Sequence, residues 1–152
     1  MEKTLAMKVL EGKKIAYEMV TYPDTERDAV QVAQALGVSP SQVFKTLVVT
    51  RPLGKPLLVM LPADRQLDLK QLAKVVKEKK LKMATHAEAE ALTGLQVGGI
   101  SALALLHRSF SIYLDTAARD YEQVYISAGK RGVNLKMAVK DLVKATRARW
   151  AE

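Results

Sequence analysis

Thr93-Gly94-Leu95-Gln96-Val97-Gly98-Gly99-Ile100-Ser101 is the stretch that decides how the chain is read. Gly94 falls where a helix should stop, because glycine takes the left-handed backbone of a C-cap without steric cost. Gly98-Gly99 carries no side chain to block close approach. Its N–H groups can therefore face a phosphate, a carbonyl or a ribose. The same pair can equally be a plain turn. Two further stretches bear on that choice: Phe44-Lys45-Thr46-Leu47 and Ser127-Ala128-Gly129-Lys130-Arg131-Gly132.

Working outward toward the N-terminus, Thr85-His86-Ala87-Glu88 is a capping box that predicts a helix to Leu92 and puts His86 on an exposed first turn. Leu81 to Met83 reads as a short strand. The helix before it starts at Asp68 and buries Leu69, Leu72, Ala73 and Val76. Lys77, Lys79 and Lys80 close it, either as a basic end that suits the helix dipole or as a contact for RNA phosphates. Val43 to Arg51 alternates, with Phe44, Thr46 and Val48 on one face and Lys45, Leu47 and Val49 on the other. Lys45 thus interrupts an apolar face. It either snorkels to water or holds a charge inside a pocket, where it would bind an anion, polarise a carbonyl or take part in proton transfer. Leu57 to Leu61 is the return strand, closed by Pro62. Further upstream, residues 4–11 form a helix capped by Thr4 and stopped by Gly12, and 15–20 a strand. Tyr22 stands at that strand's exit, as a rim aromatic or a pocket wall. Residues 26–36 are an amphipathic helix ended by Gly37, and Ser39-Pro40-Ser41-Gln42 opens a helical turn with a capping-box glutamine.

Toward the C-terminus, Ala102 to Leu106 has no deciding pattern, and His107-Arg108 reads as exposed and basic. Phe110 to Leu114 and Val124 to Ser127 are strands, with Asp115 able to cap a helical turn between them. Ala128 to Gly132 is a tight basic turn, either a hairpin end or a phosphate cradle. Val133 to Lys136 returns as a strand, and 138–147 is a closing helix with Leu142 and Ala145 inward. With no repeat, linker or low-complexity segment, the expectation is one α/β (α+β mixed) domain over 1–152.

The 152 residues include no cysteine, which leaves no disulfide, thiolate ligand or cysteine nucleophile. The two histidines share no ligand spacing, so no metal is expected. No apolar run reaches the ~20 residues of a membrane span, and no signal-peptide core follows Met1, so the expected location is cytoplasmic. Lys plus Arg exceed Asp plus Glu by 24 to 16, a net +8 that favours a polyanionic partner. Aromatics at 5% argue against an extended groove of stacked bases.

Four stretches together resemble the YbaK/ProX family of aminoacyl-tRNA editing domains. They are Phe-Lys-Thr-Leu at 44–47, Leu-Asp-Leu-Lys at 67–70, Thr-Gly…Val-Gly-Gly-Ile-Ser at 93–101 and Ile-Ser-Ala-Gly-Lys-Arg-Gly at 126–132. The resemblance runs from about Leu10 to Leu142. It implies a mixed, partly barrel-like sheet flanked by helices, with Lys45, Gly98 and Gly99 at the reacting ester. Tyr22, Thr46, Ile100, Ser101, Ser127 and Gly129 would line the substrate pocket, and Lys77, Lys79, Lys80, Lys130 and Arg131 would approach tRNA. The implied activity is removal of a small wrong amino acid, cysteine or alanine, from tRNA(Pro), with no cofactor and with prolyl-tRNA synthetase as a possible partner. The ester is already activated, so backbone donors can stabilise the oxyanion while water, a ribose hydroxyl or the substrate's own thiol attacks. A thiol attack would make the reaction a cyclising, lyase-type cleavage. Ser101 and Ser127 have no evident base beside them in the sequence. Ala102-Leu103-Ala104 stands where many relatives have Pro-Leu-Gly, and the segment after Tyr22 lacks the aromatic of the cysteine-specific members. Both departures leave alanine, serine or another small residue open as substrate. A non-catalytic RNA- or nucleotide-binding module is the alternative reading.

Overall fold

Side-chain caps set where the first four α-helices begin in the computed structural model, which describes residues 2–26 and 28–152. Thr4 accepts from the Met7 amide and opens α1 (Leu5–Gly12). Asp28 accepts from Val30 and opens α2 (Ala29–Leu36), which ends at Gly37 with φ 72°. Asp68 accepts from Gln71 and opens α3 (Leu69–Val76). The Thr85–Glu88 capping box opens α4 (His86–Thr93), and Gly94 ends it with φ 74°. The chain closes with α5 (Val139–Thr146), whose Leu142 and Ala145 are buried.

Some local expectations change. Gly12 lies inside α1, and the backbone instead turns left-handed at Lys14. Gln42 closes no capping box, because its amide donates to the Gln123 carbonyl. The undecided segment is part of a 3₁₀ helix, Leu103–Arg108. Arg108 is half-buried rather than exposed, and donates to the Leu92 carbonyl at 3.0 Å, an orphan acceptor at the end of α4.

The strands form two sheets. β1 (Glu18–Thr21), β7 (Val133–Ala138) and β6 (Gln123–Ser127) make an antiparallel sheet in the order β1-β7-β6. The second sheet has the order β4-β2-β3-β5-β8, with β2 (Phe44–Thr50), β3 (Leu57–Pro62), β4 (Lys82–Met83), β5 (Ser111–Leu114) and β8 (Arg149–Trp150). In it β2 is antiparallel to β3 and β4, whereas β3, β5 and β8 run parallel. The mixed α/β class is therefore the observed one. The partly barrel-like sheet is not: among the described residues a single bridge, Val43 to Tyr125, joins two open sheets.

The period-2 pattern of β2 explains what lies on each side of it. Phe44 and Val48 enter the main core with Leu58, Met60, Leu114, Ile126, Leu135 and Leu142. Each fully buried leucine there is worth roughly 1.5–3 kcal/mol of burial. A one-residue slip would send Lys45 into that core, so the register is strongly held. On the other face, α2 covers the Val43 end and α3 covers the Val49 end. Lys45 and Leu47 lie between those two helices and stay half-buried.

Candidate active site

That uncovered part of β2 borders a cleft of about 350 Å³. Tyr22, Lys45, Thr46, Gly98, Ile100 and Ser127 all line it. They come from the exit of β1, from β2, from the glycine loop and from the end of β6. The cleft follows an open strand edge. β4 pairs with β2 only at Val49 and Thr50, and the Val48 carbonyl takes the Ala84 amide. Main-chain groups alternate sides along a strand, so those of Thr46, two residues away, point to the same edge where no strand pairs.

Lys45 has its ammonium 3.3 Å from the Ala63 carbonyl, and no ion pair among the described residues includes it. One carbonyl leaves most of its hydrogen-bonding capacity for a ligand. Tyr22 is a pocket wall rather than a rim aromatic, at 8% exposure. Burial raises its phenol above the ordinary value, and a backbone hydrogen bond with Gly132 pulls it part of the way back. The phenol thus remains a neutral donor.

The two central glycines differ. Gly98 adopts φ 91°, and among the described residues its amide meets no acceptor. The Gly99 amide already donates to the Gln96 carbonyl at 2.8 Å, so it is no free donor for an oxyanion. A Cβ on Gly99 would lie 2.9 Å from the Arg131 backbone nitrogen. Its role is the close approach of the glycine loop to the 128–132 turn.

Ser101 and Gly129 lie behind the cleft, outside its lining. Ser101 is fully buried with its hydroxyl unpartnered among the described residues, and Gly129 adopts φ 94° with its amide on the Ser127 hydroxyl at 3.1 Å. Among the described residues no histidine or carboxylate hydrogen-bonds to either serine hydroxyl. Arg131 donates to the Val97 carbonyl at 2.7 Å and straps the glycine loop down, whereas Lys130 is exposed. Lys77, Lys79 and Lys80 are exposed at the end of α3, outside the cleft. Among the described residues no three His, Cys, Asp or Glu side chains gather to hold a metal ion.

Three polar residues line the cleft without having been foreseen. Asp28 is the cap of α2, His86 is the exposed first residue of α4, and Asn134 is a buried amide on β7. Asn134 pairs with Ser127 on one side and Val20 on the other. Only the sheet register brings it there, and one sequence carries no register signal for it. The alternation of Val133, Leu135 and Met137 with Asn134 and Lys136 puts Asn134 on the polar face of the strand, which reads as a solvent face.

The cleft joins the Lys45 cation, an amide without an acceptor among the described residues, an open strand edge and the single carboxylate of Asp28 in a mixed α/β fold, an arrangement with the donors to take a polar or ester-bearing ligand. Residues 23–145 match the family of aminoacyl-tRNA editing domains, and the chain belongs to that family. It is 34% identical over 153 residues to a protein of Enterococcus faecalis named "Putative Cys-tRNA(Pro)/Cys-tRNA(Cys) deacylase EbsC", spanning 99% of this chain and 93% of that one. Its structure is similar to the crystal structure of hypothetical protein APE2540, with TM-score 0.88, 25% identity and 96% of each chain covered. It is also similar to that of "a putative trans-editing enzyme for prolyl tRNA synthetase", with TM-score 0.84, 27% identity, 97% of this chain and 93% of that chain.

Proposed function

We propose that this protein is a trans-acting deacylase that removes a small, wrongly attached amino acid from tRNA(Pro) in the cytoplasm. The observation that carries the reading is the convergence of the Lys45 ammonium, the unpaired Gly98 amide and the open Thr46 edge on one cleft. An aminoacyl ester needs a donor at the oxygen that becomes negative and anchors on either side of it. Gly98 supplies the oxyanion donor, a group typically worth ~3 kcal/mol in acyl transfer. Lys45 holds the terminal adenosine phosphate or orients the ester, and Thr46 pairs its main chain with the substrate. Tyr22, Ile100 and Ser127 enclose the aminoacyl group.

The nucleophile comes from the substrate side. Water attacks the carbonyl with a ribose hydroxyl of the terminal adenosine relaying its proton, the ester C–O bond breaks, and the free amino acid and the tRNA hydroxyl are released. With cysteine the substrate thiol can attack instead: a C–S bond forms at the carbonyl carbon, the ester C–O bond breaks, the thiol proton passes to the departing ribose oxygen, and a cyclic thioester leaves in place of the free amino acid. The name of the E. faecalis relative favours cysteine. The apolar walls Phe44, Val48 and Ala89 suit alanine equally.

The test is deacylation of proline tRNA charged with alanine, cysteine, serine or proline. Fast release of one wrong amino acid, falling about 100-fold in Lys45→Ala with unchanged thermal stability, is the expected result. Full activity in Lys45→Ala would remove Lys45 from the site. No release of any amino acid would leave an RNA-binding module.

A further inference from the structure

A second cleft, of about 430 Å³, opens where the end of α1, the start of β5 and the turn after α5 meet. Lys13, Arg147 and Arg149 line it, together with Ser109, Phe110 and Ser111. No carboxylate is among its lining residues. The described ion pairs are Lys3–Glu11, Arg51–Glu78 and Arg65–Asp115, so none of the three cations is paired among the described residues. A helix C-terminus favours a cation, which accounts for Lys13 and Arg147. It does not account for Arg149, which sits on β8 opposite Tyr113. Three like charges facing one concavity, with hydroxyl donors at the rim and one half-buried aromatic, complement phosphate rather than a neutral ligand.

The sheet gives the spacing between the two clefts. Lys45 is level with Leu61 on β3, whereas Ser111 is level with Leu57. β8 lies three strands from β2. At about 4.8 Å between strands and 3.3 Å per residue, the two clefts lie roughly 15–20 Å apart. That exceeds one nucleotide.

We propose that this cleft binds the RNA phosphodiester backbone, several nucleotides back from an end held in the Lys45 cleft. The choice of tRNA as that RNA rests on the function proposed above, whereas the preference for phosphodiester does not.

Uncharged tRNA tests the cleft without any ester chemistry. Its binding is followed by fluorescence anisotropy over a salt series, for wild type, for K13Q/R147Q/R149Q, and for a control K8Q/K70Q/K140Q of equal charge loss. All six positions are exposed, so thermal melting should confirm that both variants fold. Each phosphate contact contributes ~0.7–0.9 to the slope of log affinity against log salt, so the cleft variant should lose about 2 from that slope. The control should lose less than half as much. A wild-type slope in the cleft variant overturns the proposal, and so does an equal loss in the control. Binding to phosphatidylglycerol vesicles that the cleft variant loses, with tRNA binding intact, would also overturn it in favour of a membrane surface. Absent deacylation with the slope change retained would sink the editing reading alone.

Discussion

At the scale of single residues, similar side chains in one loop pair have separate duties. Lys130 and Arg131 are adjacent cations on the turn after β6, and both were candidates for tRNA contact. Only Lys130 is exposed, while Arg131 spends its Nε donor on the Val97 carbonyl one residue before Gly98. Gly99 lets the Arg131 backbone come that close. On the function proposed above, Arg131 would act as a positioning residue for the Gly98 amide. Arg131→Met should keep the aliphatic packing and lose the bond, at a cost of about 1–3 kcal/mol. The expected readout is a lower thermal midpoint and a lower kcat, with the salt slope of tRNA binding unchanged. A normal midpoint with a shallower slope would show that Arg131 meets phosphate after all.

At the scale of elements, local chemistry was legible and long-range pairing was not. Thr4, Thr85, Gly37, Gly94 and Asp115 all cap where their residue types predict, because a cap is decided within four residues. β8 was not foreseen, since two residues acquire strand character only by pairing with Tyr113 and Leu114. The same limit hid Asn134. The junction between α1 and β1 adds a testable contact. Tyr17 donates to Glu11, which also pairs with Lys3 at 2.6 Å. Lys3 first, and Tyr17 second, hold the Glu11 carboxyl below its ordinary range. The Glu11 hydrogen bond, with a smaller effect of burial, pushes the Tyr17 phenol from 10.0 up to about 12. The raised value means that folding favours the neutral phenol. Its contribution is complete below pH 10 and fades as pH rises through about 12. Phenolate absorbance should show one tyrosine titrating near 12 that disappears in Tyr17→Phe. A titration near the ordinary tyrosine value would refute the contact.

At the scale of the whole molecule, the cleft is the seam between two sheets that share one bridge among the described residues. Gly98 and Ser127 reach it from the side of the three-stranded sheet, and Lys45 and Thr46 from the five-stranded one. On the function proposed above, a ligand there would touch both halves of the fold. Binding to the folded state alone stabilises it by about 2.7 kcal/mol when free ligand is 100 times Kd. For a chain of this size each kcal/mol moves the thermal midpoint by about 2–4 °C. A non-hydrolysable amide analogue of alanyl- or cysteinyl-adenosine should therefore raise Tm by roughly 5–10 °C at that saturation. The rise should be lost at the same concentration in Lys45→Ala, whose unliganded Tm stays that of wild type because its side chain makes one 3.3 Å bond to a carbonyl. A rise that survives in Lys45→Ala would place the analogue elsewhere on the surface. No rise with either analogue, together with tight binding of uncharged tRNA, would mean that the seam recognises RNA and not the ester.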